Sequence, residues 1–148
     1  MKNTVLFFSV IAIIFASCNN EDKTTATSEN DVDAARNFIQ SALYGDYEKA
    51  STYMLQDSVN AERMNVIRRI SLSKEERAGL SSSSINIHNI LRRNDSTTIV
   101  IYSNSFKNNP DTLKVVKNNG QWLVDFKYLF EHSQDTLYAT PVIKDTLQ

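Results

Sequence analysis

Residues 112–129 read TLKVVKNNGQWLVDFKYL, and this stretch decides the fold. Thr112 to Lys117 is rich in β-branched residues and reads as a strand. Asn118-Asn119-Gly120 follows, a tight-hairpin signal, because the favoured two-residue turns need positive φ, which Asn and Gly adopt at least cost. From Gln121 to Leu129 the side chains alternate. Trp122, Val124, Phe126 and Tyr128 point one way and Leu123, Asp125 and Lys127 the other, which is the period of a strand. Two strands joined by so short a turn run antiparallel.

Working outward, Asn108-Asn109-Pro110-Asp111 is a turn cluster. Before it, Thr97 to Ser103 places Ile99 and Ile101 on one face and Val100 and Tyr102 on the other. Both faces are apolar, so this strand is expected at the centre of a sheet. Asn94-Asp95-Ser96 turns back to a first strand carrying Ile85, Ile87 and Ile90-Leu91, with a phase slip near His88-Asn89 that predicts a bulge. Upstream of the four serines 81–84 the period changes to that of helices. Val32, Ala35, Phe38 or Ile39, and Ala42-Leu43 form one stripe on a helix opened by Asp31, with Asp31 or Asp33 as its cap and Gly45 as its stop. Asp46 caps a second helix from Tyr47 to Leu55, with Ala50, Tyr53 and Met54 inward. A third is expected from Ser58 to Ile70, with Val59, Arg63, Val66-Ile67 and Ile70 on one face and Met64 beside it. Ser73-Lys74-Glu75-Glu76 has the form of a capping box, opening a brief helix that ends at Gly79. Helices first and an antiparallel meander second is an α+β layout, with N-terminal helices packed across a curved antiparallel sheet.

The N-terminus addresses location. After Lys2, an apolar run from Val5 to Ala16 is broken only by Ser9. It is too short for the roughly 20 residues a spanning helix needs and fits a secretory signal. It ends in Phe15-Ala16-Ser17-Cys18, whose thiol is the single cysteine of the chain. This resembles the lipobox of bacterial lipoproteins, with Phe15 where Leu is commonest. The resemblance implies cleavage between Ser17 and Cys18 and lipidation of Cys18. The alternatives are a plain secretory signal and a membrane anchor. A lone cysteine excludes an intramolecular disulfide. Asn19-Asn20-Glu21-Asp22-Lys23 resembles a surface-export signal of some Gram-negative lipoproteins, or simply begins a solvated tether. Residues 1–17 thus read as signal, 18–30 as lipidated Cys and flexible spacer, 31–130 as the domain, and 131–148 as a tail or edge strand, Pro141 favouring a loop or an edge.

With a net charge of −1 over 148 residues, and −2 once Lys2 is removed, no strong field draws the protein to nucleic acid. Arg68-Arg69 and Arg92-Arg93 are the basic doublets, each read as a solvated face or an anion contact.

Three features occur together: a helix followed by Tyr44-Gly45-Asp46-Tyr47-Glu48-Lys49-Ala50, three hairpin-linked strands, and the sequence Leu113 to Asp125 around Gly120 and Trp122. This combination resembles small bacterial lipoproteins with a cystatin-like domain, within the superfamily named after nuclear transport factor two. The resemblance covers about Asp31 to Phe130. It implies a cone of helices across a curved sheet, with a pocket at the wide end. Superfamily members include isomerases, cyclases, dehydratases and many non-catalytic binders, so fold alone says little of function. The enzymes use an Asp with a His or Tyr inside the cone. The candidates here are His88, Asp125, and Tyr53 or Asp57, with Asp125 also readable as a solvated sheet residue because it shares a face with Lys127.

Chemistry is otherwise sparse. No serine sits in a Gly-x-Ser-x-Gly elbow. His88 and His132 are far apart, without the spacing of a metal site, and there is no glycine-rich phosphate loop. No cofactor, metal or catalytic residue is expected. The strand aromatics Tyr102, Trp122, Phe126 and Tyr128 are candidates to line a pocket, or else fill the core. The expected function is a lipid-anchored, non-catalytic envelope module, held to the membrane through Cys18, that binds an envelope protein or a small apolar ligand. The alternative is a small enzyme of isomerase or dehydratase type.

Overall fold

The structure is a computed structural model that describes residues 26–131. The expected leader, Ser17, Cys18, His132 and the rest of residues 132–148 lie outside the described residues. Four helices precede four strands: α1 Asp31–Leu43, α2 Tyr47–Thr52, α3 Ser58–Arg68, α4 Lys74–Ser81, β1 Ile85–Asn94, β2 Thr97–Asn104, β3 Asp111–Asn118 and β4 Gln121–Asp125, closed by the single turn α5 Tyr128–Glu131. The fold is α+β, with an open antiparallel sheet in the order β1-β2-β3-β4.

The turns form where their chemistry dictates. Asn119 and Gly120 have φ of 48° and 82°, and Asn118 pairs with Gln121 across them. β1 bulges at His88, between Ile87 and Asn89, and again before Asn94. β2 is an inner strand, and Val100 and Ile99 are both buried although they face opposite ways. The free edge of β4 is covered: Val124 donates its N–H to the Tyr53 carbonyl at 2.8 Å, and Leu55 returns one to Val124 at 2.9 Å. That pairing ends α2 at Thr52, short of Leu55, because residues 53–55 exchange helical bonds for sheet bonds.

α1 packs against all four strands. Its cap is Asn30, which accepts from the Val32 and Asp33 N–H groups, and not Asp31 or Asp33. Asn30 is the residue with extended backbone, whereas Asp31 is already helical and turns its carboxylate to the sheet. The helix stops as a Schellman turn. Asp46 bonds back to the Ser41 carbonyl and Gly45, with φ 77°, to that of Ala42. Asp46 then caps α2, and Ser73 with Glu76 closes a capping box on α4. Gly79 does not end α4. The helix runs through it, and Phe106 lies so close over it that a methyl group would overlap the ring.

α3 faces differently from expectation. Asn60 and Met64 are its buried residues, while Val59, Val66 and Ile70 are exposed. Ile67 packs on the core as expected, and Asn60 is held inward by its bonds to Asp57, Asp125 and the Lys127 N–H. The end of the spacer packs onto the domain, since Ser28 is buried and Ala26 donates to the Thr52 carbonyl at 2.8 Å.

Candidate functional site

The apolar stripe of α1 buries Ala34, Ala35, Phe38 and Ile39 against the sheet. Phe38 meets Phe126 with ring centroids 5.2 Å apart, and Phe126 meets Phe130 edge-on at 5.3 Å. The C-terminal half of α1 also borders a hollow. α1 ends at a tight turn, and the small Ala42 faces the gap. What remains is a cavity of about 180 Å³ that opens to solvent on one side. Phe38, Ile39, Ala42 and Leu43 form its α1 wall. Tyr47, Ile67 and Leu80 bring in α2, α3 and α4, and Tyr102, Asn104, Phe126 and Leu129 complete the lining. Each of these side chains is uncharged. The polar residues in the lining are Tyr102, Tyr47 and Asn104, and the Asn104 side-chain oxygen already accepts the Lys107 N–H at 2.8 Å. Burial, and secondarily the Asp111 carboxylate, push the Tyr102 phenol well above its ordinary pKa. It therefore stays protonated, a hydrogen-bond donor and not a base.

A second cluster joins α3 to the far end of the sheet. Asp125 is 3% exposed, in contrast to its reading as a solvated strand residue. Lys114 Nζ lies 2.6 Å from its Oδ2, and Lys127 Nζ 3.3 Å from its Oδ1. Lys127 also reaches Asp57 at 3.3 Å, and Asn60 donates to Asp57 at 2.8 Å and to Asp125 at 3.3 Å. Asn60 in turn accepts the Lys127 backbone N–H at 2.7 Å. Burial raises the Asp125 carboxyl, but Lys114, Asn60 and Lys127 outweigh burial and hold it below the usual carboxylate range. The same balance lowers Asp57 through the Asn60 N–H and Lys127. Lys127 is desolvated too, yet Asp125 and Asp57 keep it above its ordinary value. Both carboxylates are thus committed to ion pairs, with neither poised near neutrality to shuttle a proton. A comparable clasp fixes the start of α1. Asp31, also 3% exposed, accepts from Thr98 at 2.7 Å and from Arg92 at 3.0 and 3.2 Å.

Of the residues proposed from sequence, Tyr102 and Phe126 line the cavity. Trp122 packs on the core under Lys117, and Tyr128 opens α5 beside Lys114. Asp57 and Asp125 come together through Lys127 and Asn60. His88 stands apart on its bulge, 2.8 Å from the Ser103 hydroxyl, and Tyr53 packs on the core. Missed were the helical walls at Leu43, Ile67 and Leu80. An apolar stripe looks the same in sequence whether it meets a filled or an open interior. Among the described residues no group of three or more His, Cys, Asp or Glu could hold a metal ion, and no helix is long and apolar enough to cross a membrane. No known family pattern, curated protein or solved structure matches the chain.

Proposed function

We propose that this protein is a lipid-anchored, non-catalytic binding module of the bacterial cell envelope, most consistent with the outer membrane, whose cavity accepts an apolar group. The lipobox-like Cys18 and the tether motivate the anchoring. The cystatin-like resemblance rests on the sequence motifs around Gly45 and Gly120. The observation that carries the binding role is the cavity itself: about 180 Å³ with an uncharged lining. An engineered apolar cavity of roughly 150 Å³ binds benzene or xenon, whereas drug-sized ligands need about 300 Å³ or more. The size therefore favours a group no larger than an aromatic ring or a branched aliphatic side chain. The isomerase or dehydratase reading lacks support in this lining, which carries no carboxylate or imidazole. Two measurements test the proposal. Mass spectrometry of the mature N-terminus should find Cys18 acylated and first in the chain; an unmodified thiol counts against the anchor. Titration with toluene, followed by NMR, should shift the signals of Phe38, Tyr102 and Leu129 together. Shifts scattered over the surface count against the cavity.

A further inference from the structure

A second hollow of about 110 Å³ lies on the same four helical elements as the apolar cavity. The two share Ala42, Leu43 and Tyr47 as a common wall. Beyond that wall each remaining helix contributes one neighbour to either side. α3 gives Ile67 to the cavity and Arg68 to the second hollow, and α4 gives Leu80 to the cavity and Arg77, one turn earlier on the same face, to the second hollow. The apolar half and the cationic half are therefore built from adjacent positions.

The two arginines are differently engaged. Arg68 holds Glu48 at 2.7 Å through Nη1, and bonds the Tyr47 carbonyl and Ser51 hydroxyl through Nη2, but its buried Nε–H has no acceptor among the described residues. Arg77 makes no ion pair with another described residue, and the acid beside it, Glu76, is taken by the Ser73 cap and by Lys107 at 4.0 Å. A guanidinium left free beside an apolar cavity matches a carboxylate attached to an apolar group.

We infer that the site, resting on the binding role proposed above, takes a small amphiphilic carboxylic acid: an apolar group about the size of a phenyl ring in the cavity, with its carboxylate beyond the Ala42–Leu43–Tyr47 rim at Arg77, beside Arg68. The assignment is to a free acid. The cavity is too small for a long acyl chain, and the charge complement is that of one carboxylate.

The test uses one tail with three heads. 3-Phenylpropionate, 3-phenylpropanol and 3-phenylpropylamine are titrated by calorimetry into the full-length protein in lipid nanodiscs, with empty nanodiscs as the blank. The acid should bind about tenfold tighter than the alcohol, the increment of a charge-assisted hydrogen bond, and the amine weakest. Arg77→Ala, at an exposed helical position that favours alanine, should bring the acid down to the alcohol and leave the alcohol unchanged, while Arg77→Lys should recover part of the difference. Equal binding of acid and alcohol, unaffected by Arg77→Ala, overturns the inference while leaving the apolar cavity standing. Arg68 would then serve only its bonds to Glu48, Tyr47 and Ser51 on α2. Binding of none of the three overturns both the inference and the binding role beneath it.

Discussion

Asp125→Ala removes one carboxylate from the centre of a network and leaves two ammonium groups behind. The loss includes the 2.6 Å pair with Lys114 and the 3.3 Å contacts with Lys127 and Asn60. Truncating one member of a fully buried pair costs about 3–5 kcal/mol, because the partner charge is stranded. Here the strandedness is partial. Both lysine side chains keep 28% exposure, so they can extend to water, and Lys127 retains Asp57. The expected destabilisation is therefore about 2–3 kcal/mol, below the fully buried range and above that of a surface pair. For a domain near 100 residues that corresponds to roughly 10–20 °C in Tm. Urea unfolding, followed by far-UV circular dichroism and by Trp122 fluorescence, should show a lower midpoint with unchanged slope. The double variant Asp125→Leu with Lys114→Met should lie within about 1 kcal/mol of wild type, since it removes the buried charge and the group that needed it together. A cost below about 0.5 kcal/mol for Asp125→Ala would mean that the ion pairs carry no net stability and that Asp125 behaves as the solvated residue its sequence context implied.

Asp31, Asp57 and Asp125 are all held below the ordinary carboxylate range. Their contribution to stability is complete above the unfolded value, about pH 3.9, and is lost as pH falls through the lower folded values. The urea midpoint should change little from pH 7 to 5 and decline below about pH 4, with a shallower decline in Asp125→Ala; identical declines would contradict the linkage. Gly79→Ala should fail to deliver the roughly 0.5–1 kcal/mol that alanine gains over glycine in a helix, because the methyl displaces Phe106. Adding Phe106→Ala should restore that gain, and a stabilised single variant would show that the ring moves freely. Gly120→Ala forces a side chain into φ 82° and should cost about 1–2 kcal/mol by thermal melting, against little or no change if the turn re-forms with another geometry.

The meander was legible because its signals are local. Asn119-Gly120 needs no partner to announce a hairpin, and the slip at His88-Asn89 breaks the strand period within a few residues. Gly45 and the Ser73–Glu76 box were legible for the same reason. Asn60 and Asp125 were not. Polar residues read as solvated unless a partner is known, and theirs lie 65 residues apart in the chain. Val59, Val66 and Ile70 face solvent, while Asn60, Met64 and Ile67 face inward. The cap of α1 moved to Asn30 because Asp31 had distant business with Thr98 and Arg92. Half of the aromatic set foreseen for a pocket lines the cavity. Trp122 and Tyr128 do not: Trp122 packs on the core near the hairpin turn, and Tyr128 opens α5 after β4 has ended at Asp125.

Xenon diffraction from pressurised crystals of the protein tests the central claim most directly, since xenon occupies apolar cavities of this size without requiring a polar partner. Anomalous density is expected among Phe38, Ala42, Tyr102 and Leu129, abolished in Ala42→Leu. Contradicting it would be an interior closed at that point, with those side chains in mutual contact and xenon absent.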